Sequence, residues 1–67
     1  MKILITGASG FLGQALSRAL MPAHEVIGLT HTHSTNVVGI RSLNCDLSDF
    51  RRIDKILKEI QPTHVIH

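Results

Sequence analysis

The segment Thr6-Gly7-Ala8-Ser9-Gly10-Phe11-Leu12-Gly13 sets three glycines three residues apart, between the apolar run Ile3-Leu4-Ile5 and a helical pattern of apolar residues. A short β-branched run closed by Thr-Gly reads as a strand buried on both faces. Beyond the glycines, Phe11, Leu12, Ala15, Leu16, Ala19 and Leu20 fall at helical spacing. They predict the inner stripe of a helix that Pro22 bounds. A buried strand turning tightly into a helix commits the chain to a parallel α/β arrangement. Gly7 permits the turn, Gly10 lets the main chain approach a pyrophosphate with no Cβ in the way, and Gly13 lets the helix pack close to the sheet. The free N–H groups of Ser9 to Leu12 are then expected to point at an anion from the helix N-terminus. The plain alternative is a glycine-rich turn with no ligand, and the strand–loop–helix context favours the anion seat over it. A P-loop is excluded, because no Gly-Lys-Ser/Thr follows Gly7.

The remaining pattern extends this unit. Val26-Ile27-Gly28-Leu29 reads as a second strand, Thr30 to Asn36 as a polar loop, and a weaker third strand is expected between Val38 and Cys45. Ser48 offers an N-cap, with Asp49 in the first turn of a second helix. Phe50, Ile53, Ile56, Leu57 and Ile60 supply its apolar stripe, Pro62 ends it, and His64-Val65-Ile66-His67 begins a fourth strand. The order is therefore β-α-β-β-α-β. Right-handed parallel crossovers lead to strand order 3-2-1-4, with the helices on opposite faces. This is the N-terminal half of a Rossmann-type doubly wound parallel sheet, truncated after strand 4.

Composition limits the alternatives. At 67 residues the chain is one domain at most, and 43% hydrophobic with 18% charged residues is a folding composition. A single cysteine, Cys45, rules out an internal disulfide or a Cys-rich zinc cage. It reads as a small buried apolar residue with nothing nearby to activate it as a nucleophile. Net charge is only +2, and Asp49, Asp54 and Glu59 interrupt the basic stretch Arg51, Arg52, Lys55 and Lys58. That stretch is a solvated helix face, so no nucleic-acid partner is expected. The apolar run near the N-terminus is too short for a signal peptide or membrane span, which gives a cytoplasmic expectation with no membrane partner.

Gly-x-x-Gly-x-x-Gly departs from the Gly-x-Gly-x-x-Gly of ordinary dehydrogenases. Ile5-Thr6-Gly7-Ala8-Ser9-Gly10-Phe11-Leu12-Gly13 resembles the opening of the extended short-chain dehydrogenase/reductase superfamily, the NAD-dependent epimerases and dehydratases. Asp46-Leu47 resembles that family's adenine-contacting pair. Gln61-Pro62-Thr63-His64-Val65-Ile66-His67 resembles the lead into its fourth strand. The short connection between strands two and three, with Asp46-Leu47-Ser48-Asp49, looks most like dTDP-4-dehydrorhamnose reductase and the related regulatory β subunit of methionine adenosyltransferase. The resemblance covers the whole chain but only the opening part of such a protein, a partial NAD(P)-binding domain over residues 1–67. It implies dinucleotide contacts from Gly7, Ser9, Gly10, Phe11, Leu12, Gly13, Asp46 and Leu47. Asp46 has an equally ordinary reading as a turn or helix-capping residue.

A ribose-binding Asp or Glu is expected about 20 residues past the glycines, yet no carboxylate occurs between Glu25 and Asp46. Thr30, His31, Thr32 and His33 stand there instead. Their hydroxyls and imidazoles can donate hydrogen bonds to a 2′-phosphate, which favours NADP(H) over NAD(H). The family's NADP-binding members usually place Arg here, and this chain has none in that place. His31 and His33 have a His-x-His spacing, but without a third ligand nearby they read as solvated loop histidines, and no metal site is expected. Catalytic members use a Tyr-x-x-x-Lys pair, and this chain has no Tyr. No catalytic residue is assigned, and the chain on its own is expected not to turn over substrate. The expectations that remain are an enzyme's cofactor-gripping segment, a regulatory binding module with a protein partner, or a nonfunctional remnant. The thin core and open fourth strand suggest a truncated chain, or one completed by something further.

Overall fold

The computed structural model describes residues 1–31 and 39–67. Its elements run β1 (Lys2–Thr6), α1 (Phe11–Leu20), β2 (Glu25–Thr30), β3 (Arg41–Asn44), α2 (Phe50–Ile60) and β4 (His64–Ile66). They form one sheet of order β3-β2-β1-β4, and every pairing is parallel. The α/β class and the strand order are those expected. Leu4 stands opposite Ile27 on one side and Val65 on the other, which makes β1 the centre of the sheet.

Strand alternation divides the core into two layers. Leu4, Ile27 and Leu29 pack with Cys45 and with Ile56 and Ile60 of α2. Ile3, Ile5, Ala8 and Val26 form the other cluster, against which Leu16 and Leu20 of α1 rest. Each helix thus covers its own face. Cys45 is buried in the α2 layer, as its small apolar character suggests. The start of β4 is fastened to β1, because the Thr63 N–H and hydroxyl both donate to the Lys2 carbonyl, at 2.8 and 2.9 Å. Lys2 Nζ donates to the Ile60 carbonyl at the end of α2.

Three expectations need correction. The buried line of α1 is not Phe11, Leu12, Ala15 and Ala19: Phe11 is 95% exposed and Leu12 is 70% exposed. Gly13 and Ser17 are buried instead, flanked by half-buried Leu16 and Leu20. A helix drawn against the sheet at Gly13 must turn residues four and seven further on toward the sheet as well. In α2, Ile53, Ile56 and Ile60 face inward while Phe50 and Leu57 lie on the exposed side. The cap of α2 is Asp49 and not Ser48, for the Asp49 carboxylate accepts the Arg52 N–H at 3.1 Å. Gln61 closes the helix in the left-handed conformation, φ 51°, just ahead of Pro62.

Candidate functional site

The site grows out of the first turn. Gly7 sits at φ +62°, where an L side chain is strained, although nothing lies within 4 Å of an added Cβ. Gly13 is required for the opposite reason. A Cβ there would stand 2.3 Å from the Gly7 carbonyl oxygen and 2.8 Å from Ala8 Cα, so α1 begins in direct contact with the loop. Gly10 is the extended N-cap residue of α1, and no side chain caps the helix. Its own Cβ would lie 3.3 Å from the Gly7 oxygen and would otherwise meet open space.

Ala8 locks the loop onto the sheet. It is fully buried, and its N–H donates to the Leu29 carbonyl at 3.1 Å. Gly28 of β2 makes room for it: a Cβ at Gly28 would be 2.6 Å from Ala8 Cβ. Sequence reasoning missed this position, since Gly28 lies inside an apolar run and carries no loop signal.

The four amides expected to face an anion are not equivalent. The Gly10 N–H donates to the Gly7 carbonyl at 3.0 Å and so belongs to the turn. Among the described residues, the N–H groups of Ser9, Phe11 and Leu12 have no main-chain partner. Gln14 Nε2 donates to the Ser9 carbonyl at 2.8 Å, which holds the loop against the first helical turn.

The turn and the start of α1 border a cavity of about 340 Å³ at the C-terminal ends of β1 and β4. Gly7, Gly10, Phe11, Leu12 and Gly13 line it, whereas Ser9 does not. Sequence reasoning missed the opposite wall, formed by Ile5, Thr6, Leu16, Ile66 and His67. The available signal was topological, because the ends of adjacent parallel strands converge at the crevice. Thr6 Oγ1 lies 2.9 Å from His67 Nδ1 and 3.4 Å from the Ile66 carbonyl oxygen, bridging the two strand ends. No Asp, Glu, Lys or Arg side chain among the described residues lines the cavity. An anion seated there would be held by main-chain N–H groups.

The remaining candidates lie along the same sheet edge, outside that cavity. Thr30 is only 5% exposed, while His31 is exposed. Thr32 and His33 lie outside the described residues. His31 Nε2 stands 3.7 Å from Asp46 Oδ2, so the ends of β2 and β3 bring two predicted residues together. Asp46 Oδ1 accepts both the Ser48 N–H, at 2.9 Å, and the Ser48 hydroxyl, at 2.8 Å. Those two hydrogen bonds, with the nearby His31 adding to them, hold the Asp46 carboxyl below its ordinary value of 3.8. Asp46 is therefore a turn-forming residue that keeps one oxygen toward His31. Leu47 beside it is exposed. Among the described residues, no group of three or more His, Cys, Asp or Glu side chains is placed to hold a metal ion.

Comparison with known proteins assigns the architecture. The model of the NAD dependent epimerase/dehydratase family matches residues 3–67. The chain belongs to that family. Its relatives include a 2-alkyl-3-oxoalkanoate reductase of Stenotrophomonas maltophilia (strain K279a), 44% identical over 52 residues, which covers 73% of this chain and 16% of that protein. A probable dTDP-glucose 4,6-dehydratase of Sinorhizobium fredii (strain NBRC 101917 / NGR234) is 33% identical over 78 aligned positions, covering all of this chain and 22% of that protein. Among solved structures, the Bordetella bronchiseptica enzyme WbmH in complex with NAD+ superposes with a TM-score of 0.83 at 19% identity, over 98% of this chain and 24% of that one. The UDP-glucose 4-epimerase of Thermotoga maritima with UDP-glucose gives 0.85 at 24% identity, over 97% and 23%. At those identities the structural likeness is one of fold. This epimerase/dehydratase-family chain spans less than a quarter of the length of each of these proteins. Among its described residues, no helix is long and apolar enough to cross a membrane.

Proposed function

We propose that this chain grips the adenosine-pyrophosphate end of an NAD(P)(H) cofactor, as the N-terminal segment of a sugar-nucleotide keto-reductase of the dTDP-4-dehydrorhamnose reductase kind. The observation that carries the reading is the glycine turn, in which the Ser9, Phe11 and Leu12 amides have no main-chain partners among the described residues at the start of α1, and Phe11 and Leu12 border the cavity. The geometry fits a diphosphate: the main-chain donors are uncharged, the helix N-terminus favours negative charge, and no Asp or Glu side chain among the described residues lines the cavity. Gly7, Ser9, Gly10, Phe11, Leu12 and Gly13 would surround the pyrophosphate. Thr30 and His31 would face the ribose, and Asp46 and Leu47 the adenine.

The cofactor supplies hydride chemistry when bound. This chain's part is to orient the nucleotide end. The short connection from β2 to β3 followed by Asp46-Leu47-Ser48-Asp49 also suits a second, non-catalytic reading as an NADP-holding regulatory subunit of the methionine adenosyltransferase type. NADP(H) is favoured over NAD(H), because β2 ends at Thr30 and no Asp or Glu follows it in the chain before Asp46, whose carboxylate stands 3.7 Å from the His31 ring. The relatives named as a reductase and a dTDP-glucose dehydratase are in keeping with a keto or nucleotide-linked substrate.

Calorimetric titration of the purified protein and its G10V variant with NADP+ and NAD+ tests the reading. Binding is expected for the parent and none for the variant, with circular dichroism showing that both fold. Equal affinity in the folded variant would refute the loop assignment.

A further inference from the structure

We draw no further inference here: the strongest candidate, the Thr6 hydroxyl paired with His67 Nδ1 at 2.9 Å on the cavity wall where β1 and β4 end, belongs to the site already described.

Discussion

Gly7 and Gly13 are glycines for different reasons, and substitution should separate them. Alanine at Gly7 meets no neighbour but must hold φ near +62°, a strain of about 1–2 kcal/mol. Alanine at Gly13 keeps an ordinary helical backbone yet drives its Cβ to 2.3 Å from the Gly7 oxygen. The start of α1 must then move away from the loop, at about 1–3 kcal/mol. Urea unfolding should show both losses. Dinucleotide affinity should fall further in Gly13→Ala, because the displaced amides are the proposed ligands. Equal affinities in the two variants would defeat that distinction.

Asp46 gives a residue-scale prediction in pH. Its carboxyl is held below 3.8, chiefly by the Ser48 N–H and hydroxyl. A group whose folded pKa lies below its unfolded one contributes stability that is fully present above the unfolded value and lost as pH falls through the folded value. Carbon NMR titration should place the Asp46 midpoint below 3.8, and Ser48→Ala should raise it. A midpoint insensitive to Ser48 would remove the assigned cause.

At the scale of the element, the two helices divide what the sequence could reveal from what it could not. Helical spacing located both, and Pro22 and Pro62 bounded them, because apolar periodicity and proline sterics are local properties. The rotation of α1 was hidden. Apolar counting marks Phe11 and Leu12 as inward, but the close approach at Gly13 selects a face made of Gly13 and Ser17, which no hydrophobicity pattern would choose. Ser17 is tolerated there because its hydroxyl donates to the Gly13 carbonyl at 2.8 Å. Phe11→Ser should therefore leave stability within about 0.5 kcal/mol of the parent, whereas a core-facing phenylalanine would cost several times more.

The start of α2 was ambiguous by one residue, since Ser48 and Asp49 are both good caps. Tertiary placement settled it: Ser48 is drawn to Asp46, which leaves Asp49 to the helix. Asp49→Ala should cost about 1 kcal/mol in thermal or urea unfolding. Ser48→Ala should act on the helix less and on the Asp46 titration more. The reverse ranking would return the cap to Ser48.

For the whole molecule, the strand order was legible because handedness and crossover rules leave few alternatives once strands and helices alternate. The far wall of the cavity was not, since Thr6 and His67 are distant in sequence and meet only through β1–β4 pairing. β1 pairs on both sides, whereas β4 is a three-residue strand at the sheet edge with Val65 exposed. Amide exchange should thus be slowest at Leu4 and Ile5 and markedly faster at Val65. Comparable protection along β1 and β4 would mean that something covers that edge in solution.

The contact between Ala8 and Gly28 has an outcome for anyone recombining such proteins. A larger side chain at either position displaces the other, so the nucleotide-gripping turn and the second strand are a matched set, inherited or transplanted together. A chimera that imports residues 6–13 alone, into a host with any side chain at the counterpart of Gly28, will carry the motif and still hold it at the wrong height above the sheet.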